Sequence, residues 1–326
     1  MSYTVGIVWN PSKVGEDELR TAVGAALAEA PDGASPEVLW FETTVDDPGQ
    51  GATADALDAG CTVVVAAGGD GTVRSVAGAL GASAEAERSA SGAPAAELGI
   101  IPLGTGNLLA RNLDVPLGDP RAAFARVLAG EARPLDLGEV TISFGDGAEE
   151  RQPFVVMVGF GIDAQMIVET DDELKARAGW LAYVESLGRA ANETEVVDFS
   201  LALDGGEAHP ESAHTLLVAN CGTIQGGITL LPDAAPDDGE LDLLVLRADG
   251  VAAWLDTMRN LVWDNGLKRL FTGADRAESS ESTAHLRARG ARVELPSPHA
   301  FEVDGDDFEG VTAFEVRILP AALRVR

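Results

Sequence analysis

Lysine is nearly missing from this 326-residue chain. Only Lys13, Lys175 and Lys268 supply it, and Lys plus Arg total 23 against 53 Asp plus Glu, a formal charge of −30. Such a surface is repelled by nucleic-acid backbones and anionic leaflets. Nucleic acid is therefore not an expected partner, and membrane contact is expected to be peripheral, brief and strengthened by salt or divalent ions. The same bias, with Arg and Ala in place of Lys, fits a biased genome better than adaptation to salt. Cysteine is scarce too: Cys61 and Cys221 each flank an apolar run, with neither a disulfide framework nor metal-binding spacing. Long apolar runs are absent. Uncharged stretches such as Gly60–Gly69 and Leu98–Ala110 are broken by Gly or Pro and fall short of the roughly 18 apolar residues of a membrane span. The opening MSYTVGIVWN has no basic stretch before its apolar run and no cleavage site, so no secretory signal is expected. The expectation is a cytoplasmic, reduced protein with no stable protein partner beyond a homodimer. With 46% apolar and 23% charged residues, the chain is globular rather than a disordered acidic tail.

The first third alternates strand and helix signals. Thr4–Trp9, Glu37–Phe41, Thr62–Ala67 and Leu98–Pro102 are short apolar runs of the buried parallel-strand kind. Between and after them, Glu16–Ala30, Ala52–Ala59, Val73–Leu80, Leu109–Leu113 and Pro120–Gly130 carry helical spacing, and Ala82–Ala96 is weakly patterned, a helix edge running into a loop. Repeated strand–turn–helix units predict an α/β domain with a parallel sheet. After Arg133-Pro134 the pattern changes to short strand-like runs at Leu135–Phe144, Pro153–Gly159, Val196–Leu203, His214–Asn220, Leu241–Leu246, Ala291–Leu295, Phe301–Val303 and Phe314–Ile318, with helices expected only at Asp172–Ala191 and Val251–Leu270. The prediction is two domains, 1–133 and a β-rich, sandwich-like 134–326, with the extreme C-terminus able to pack back on the first.

Two glycine turns carry the chemistry, each directly after a buried strand: VVVAAGGDGTV (Val63–Val73) and GIIPLGTGNLLARNL (Gly99–Leu113). Ligands of open α/β sheets sit beyond the carboxyl ends of strands, where glycine lets backbone N–H groups approach a phosphate. A lone GGDG is as readily a plain turn; two, both on strand ends, point to a nucleotide. Neither is GxGxxG or GxxxxGK[ST], so dinucleotide-fingerprint and P-loop readings are excluded. Binding must then rest on amides, on the hydroxyls of Thr72 and Thr105 and on the Asn107 amide, with Lys13, Arg74 and Arg111 as nearby cations. Asp70 is the odd member, since a carboxylate repels phosphates. It makes sense on Mg²⁺, on a metal-bound water or on a substrate hydroxyl.

The NP after the first strand, GGDGT and PLGTGNLLAR resemble the diacylglycerol kinase catalytic family, which includes sphingosine and bacterial YegS-like lipid kinases. The resemblance continues through VGFGIDAQ (Val158–Gln165), LKARAGWLAYV (Leu174–Val184), VANCGTIQGGITLLPDAAPDDGELDLLVL (Val218–Leu246) and FEVDGD (Phe301–Asp306), in family order over nearly the whole chain. It implies an NAD kinase/diacylglycerol kinase-like first domain and ATP- and Mg²⁺-dependent transfer of the γ-phosphoryl group to a lipid alcohol at a membrane surface, diacylglycerol giving phosphatidic acid being the leading case.

The resemblance implies ATP binding between the domains by Asn10, Pro11, Ser12, Thr43 (or Thr44), Gly68, Gly69, Asp70, Gly71, Thr72, Gly104, Thr105 and Asn107. It implies a structural Mg²⁺ on Asp238 with backbone oxygens near Ala235 and Glu240. Asp233, Asp237, Asp238, Glu240 and Asp242 do cluster within ten residues, although a solvated acidic loop accounts for them equally well. The family's base, the Glu of DGE, falls on Asp306, one methylene shorter, so Asp304 is a second candidate to share the role. Arg74-Ser75 also departs from the family's x-N-E after GGDGT. Phe160, Trp180, Tyr183, Trp254, Trp263 and Phe271 are candidates for an acyl groove, with core packing the commoner fate of such residues. The helix Val251–Leu270, with Arg259, Lys268 and Arg269 on its polar face, is a candidate for membrane contact. Two other readings remain: an NAD kinase, which the IIPLG and LLAR around the second turn disfavour, and a nucleotide- or lipid-binding regulator that has lost turnover.

Overall fold

The computed structural model describes residues 3–30, 36–90, 96–161, 196–224, 229–247 and 283–326. Its chain divides into two compact units, Met1–Leu137 with Leu319–Arg326, and Gly138–Ile318. The helices expected at Asp172–Ala191 and Val251–Leu270, and with them Trp180, Tyr183, Trp254, Trp263 and Phe271, lie outside the described residues.

The first unit is a parallel sheet in the order β2-β1-β3-β4, built from β1 (Thr4–Trp9), β2 (Glu37–Glu42), β3 (Val63–Gly68) and β4 (Glu97–Pro102). Every residue of β3 is buried. This is why Val63–Ala67 reads as a continuous apolar run rather than an alternating one: helices cover both faces. The chain steps from β1 outward to β2, then doubles back past β1 to β3. With right-handed crossovers, that reversal sends α1 (Glu16–Glu29) to one face and α2 (Gln50–Asp58) and α3 (Asp70–Ala90) to the other. Accordingly α2 packs on α3, and α1 packs on α5 (Pro120–Ala129), which follows the short α4 (Leu108–Asn112). Leu19, Val23 and Ala26 form the buried stripe of α1, while Glu16, Asp17 and Glu18 complement its N-terminal dipole. Helix α5 starts on Pro120 and is capped by Asp119, whose carboxylate accepts the Ala122 amide at 3.0 Å. At the sheet's far edge Val325 pairs in parallel with Leu98.

Helix α3 is longer than its periodicity suggests, since it continues through the weakly patterned stretch after Leu80. Ala82, Ser83, Ala84 and Glu85 present little apolar pattern, but Ala and Glu are good helix formers, and Ala84 is buried.

The second unit is antiparallel. Strands β7 (Met157–Phe160), β10 (Thr215–Ala219), β11 (Leu241–Leu246) and β12 (Thr283–Ala288) pair in the order β12-β11-β10-β7. The hairpin of β8 (Val197–Leu203) and β9 (His209–Ala213) and that of β5 (Arg133–Phe144) and β6 (Glu149–Phe154) branch off this path. The 14-residue β13 (Gly290–Val303) joins them: its first half pairs with β8 and its last residues with β7. Register shifts against β14 (Asp306–Val325) at Glu294–His299 and His299–Phe301 mark where it bends. The short runs Ala291–Leu295 and Phe301–Val303 are therefore parts of one strand that changes partners, the sandwich-like architecture expected for this half. Phe154, Phe199, Leu243, Val293, Phe301 and Phe314 lie in its core.

Candidate active site

In the first unit the doubling back of the chain leaves β1 and β3 adjacent at the switch point, where an open α/β sheet binds ligands. Asn10 follows β1, and its backbone N–H donates to Ala67 O at 3.0 Å, tying the NP turn to the end of β3. Its side chain closes the turn on itself, accepting the Ser12 amide at 2.9 Å and the Ser12 hydroxyl at 2.7 Å. Its amide nitrogen reaches Thr72 Oγ1 at 3.4 Å. The NP turn and GGDGT are thus one construction.

The two glycine turns pack backbone against backbone. A Cβ on Gly104 would stand 2.7 Å from Gly69 Cα, closer than real atoms approach. Leu103 N donates to Gly68 O at 2.8 Å, which locks the pair. The Asp70 carboxylate accepts the amides of Asn107 at 2.8 Å and Leu108 at 2.6 Å. An acidic residue in this glycine turn thus has a structural partner, the amino end of α4, whose amides its charge complements. Asn107 is left-handed (φ 49°), and its side-chain amide pairs with the Gly104 N–H at 2.9 Å and the Gly104 carbonyl at 2.7 Å. Arg111 braces the same turn by donating to Gly106 O at 2.7 Å.

Lys13 Cε lies 3.7 Å from where a Gly69 Cβ would be, carrying the lysine stem along the first turn. Thr105 is exposed at the tip of the second turn, and Thr72 is buried beneath the first. Of the two threonines after β2, Thr43 is buried and bonds through its N–H to Trp9 O at 2.9 Å, beside Asn10. Thr44 is turned away, its hydroxyl accepting the Asp47 amide at 3.0 Å. Glycine backbones, one hydroxyl tip and one ammonium, with the one carboxylate engaged elsewhere, suit a polyanion such as a nucleotide triphosphate.

In the second unit Asp304 and Gly305 form the two-residue loop between β13 and β14, with φ of 49° and 89°. Both central residues are left-handed, the type I′ geometry that Asp-Gly favours. Asp304 is buried, and its carboxylate accepts the amides of Val155 at 2.7 Å, Val156 at 2.9 Å and Met157 at 2.9 Å. It anchors the hairpin. Asp306, two residues on, is exposed at the start of β14. The structure thus separates the two carboxylates that the sequence left as joint candidates. Phe160 is buried, edge-on to Phe199 with ring centroids 5.6 Å apart, so it serves the core.

The loop expected to hold a structural Mg²⁺ has another cation. Arg287 on β12 bonds Asp238, lies 3.1 Å from Glu240 and 3.3 Å from Asp242. The second oxygen of Asp238 accepts the Glu240 amide at 3.0 Å. Both oxygens of the expected metal ligand are therefore engaged, and Ala235 lies half-buried in the same loop. As arranged, this donor set does not fit a divalent ion, and among the described residues no group of three or more His, Cys, Asp or Glu is placed to hold one. Burial, partly offset by Arg287, pushes the Asp242 carboxyl up to about 6. Nothing in the motifs flags Arg287; its alternation with His285 along a strand is the only signal.

Residues 5–140 match the family model of the diacylglycerol kinase catalytic domain, and residues 156–326 that of the YegS C-terminal NAD kinase beta sandwich-like domain. A Pseudomonas aeruginosa protein named "Probable lipid kinase YegS-like" is 31% identical over 98% of this chain and 92% of its own length. A protein of the same name from Stenotrophomonas maltophilia is 32% identical over 98% of this chain and 94% of its own. The crystal structure of a diacylglycerol kinase from Bacillus anthracis str. Sterne covers 99% of this chain and 96% of its own, with a TM-score of 0.64 at 20% identity, a likeness of fold.

Proposed function

The chain belongs to the family of diacylglycerol kinase catalytic domains joined to a YegS-type C-terminal domain, and on that premise we propose that it is a lipid kinase that transfers the γ-phosphoryl group of MgATP to a lipid hydroxyl, with diacylglycerol giving phosphatidic acid as the first candidate. The observation that carries the reading is the backbone-to-backbone packing of Gly69 and Gly104 beside the β1–β3 switch point. It leaves no room for a side chain at Gly104 and sets the two glycine backbones side by side. Gly68, Gly69, Gly71, Gly104 and Thr105 bind the phosphates in this reading, with Asn10, Pro11, Ser12, Thr43 and Thr72 shaping the floor and Asp70 and Asn107 holding the second turn in position.

The acceptor hydroxyl must lose a proton as its oxygen attacks the γ-phosphorus. Asp306 is the proposed base, because it is exposed while Asp304 is taken up by three amides. The proton passes to Asp306, the new P–O bond forms, the bond to the β-phosphate oxygen breaks, and ADP leaves with that electron pair. Mg²⁺ enters with ATP and offsets the phosphate charge. Among the described residues no helix is long and apolar enough to cross a membrane, so the lipid is met at a surface, and the charge of −30 makes that encounter brief at low salt.

Incubating the protein with γ-labelled ATP, Mg²⁺ and a panel of lipid alcohols tests this. Label in phosphatidic acid, lost in D306A while ATP still binds, is expected. No labelled lipid, with D306A indistinguishable from wild type, would end the proposal. NAD in a parallel tube separates the nucleotide-acceptor reading.

A further inference from the structure

Strands β11 and β12 are antiparallel, and their register sets Asp242 directly across from Arg287. From that position the guanidinium spreads over three carboxylates. Its Nε faces Asp242, one terminal nitrogen faces Glu240 and the other bonds Asp238. The Arg287 side chain is 33% exposed, and its carboxylate partners run from Asp242 at 7% through Asp238 at 29% to Glu240 at 40%, so the cluster reaches from the margin of the core to the surface and its Asp242 end is the least screened. Asp238 and Glu240 come from the loop that precedes β11, so one side chain of β12 fastens both the strand and its approach.

A divalent ion does the same work by a different geometry. Mg²⁺ demands near-octahedral oxygen ligands at about 2.0–2.1 Å and keeps several waters. A guanidinium is planar, with five N–H donors in a fixed fork suited to several carboxylates at once. The two cannot share these three carboxylates without bringing like charges together beside the buried Asp242. We propose that Arg287 is the resident counter-ion of the 233–242 loop, standing where a structural divalent cation would otherwise sit, so that folding of this unit is independent of divalent metal. Mg²⁺ then concerns this protein only as the companion of ATP. The inference does not depend on which acceptor is phosphorylated, since its readouts are metal content and stability.

The test uses the nucleotide-free full-length protein. Elemental analysis after desalting is expected to show no stoichiometric Mg²⁺ or Ca²⁺. The melting temperature should be the same, within about 1 °C, in EDTA and in millimolar Mg²⁺ or Ca²⁺. R287M removes the guanidinium and leaves three carboxylates facing one another. It should melt several degrees lower in EDTA and recover on adding Mg²⁺ or Ca²⁺. R287K, a point charge that cannot span all three, should show the same recovery in smaller measure, and it serves if R287M does not fold. One divalent ion per wild-type chain, or a wild-type melting temperature lowered by EDTA, overturns the proposal. So does a folded variant that no divalent ion restores.

Discussion

Asp70, in the first glycine turn, accepts the backbone N–H of Asn107, in the second, at 2.8 Å across 37 residues of sequence. One carboxylate therefore sets the spacing of the two glycine turns. Replacing it with alanine orphans the amides of Asn107 and Leu108. We expect D70A to lose about 1–3 kcal/mol of stability, read by chemical denaturation, and to bind ATP weakly by fluorescence titration. D70N, which keeps one acceptor, should fall between. ATP binding undiminished in D70A would mean the two turns hold their positions without this clamp.

Gly104→Ala probes the same junction from the other side. Its methyl would stand 2.7 Å from Gly69 Cα and 3.0 Å from Asn107 Oδ1. The nearest atom is backbone, so relief requires the turns to part. A loss of about 1–3 kcal/mol is expected from overpacking, together with loss of nucleotide binding.

Asp304 and Asp306 should respond in opposite ways. D304A leaves the three amides of Val155, Val156 and Met157 without an acceptor, and we expect on the order of 3 kcal/mol or more of lost stability. D306A, at an exposed position, should change stability by less than about 1 kcal/mol while abolishing turnover. D306E, which restores the family's residue, should retain activity. Equal stability losses in D304A and D306A would refute the division of labour.

Asp47 gives a pH signature. Burial alone would raise its pKa, but the amides of Gly51, Gly49 and Ala52, at 2.9, 3.1 and 2.9 Å from its carboxylate, outweigh that and hold it below its ordinary value. A depressed folded pKa contributes stability above the unfolded value of about 3.9, and loses it as pH falls through the folded value. The melting-temperature gap between wild type and D47N should be constant from neutral pH to about 5 and should close below about 4. A gap unchanged at low pH would assign the effect to geometry rather than charge.

Much of the first unit was legible because its signals are local. The fully buried run Val63–Ala67 announces a central parallel strand, and glycine at Gly69 and Gly104 announces close backbone approach. Past Leu80 α3 was legible only as a helix edge without a boundary, since a helix continued by propensity leaves little apolar pattern. In the second unit β13 read as two strands, because its bends at Glu294–His299 and His299–Phe301 interrupt the alternation that marks a strand. The short β9 carries no period-two pattern, and β12, whose Ala284, Leu286 and Ala288 alternate with Thr283, His285 and Arg287, carries only a faint signal because its apolar face is built mostly of alanine.

Composition, strand–turn–helix alternation and motif order by themselves determined the class of fold, the pair of glycine turns and the family, because glycine, β-branched runs and Asp-Gly loops act through the backbone nearest them. What each carboxylate does was decided only by the tertiary structure. Asp70 caps α4, Asp304 pins a hairpin, Asp238 is held by Arg287, and Asp306 is left exposed. These four share one side-chain chemistry. Their roles differ because a carboxylate's partners are chosen by what the fold brings within hydrogen-bond reach, 37 residues away for Asp70 and 149 for Asp304, and no local pattern records such distances.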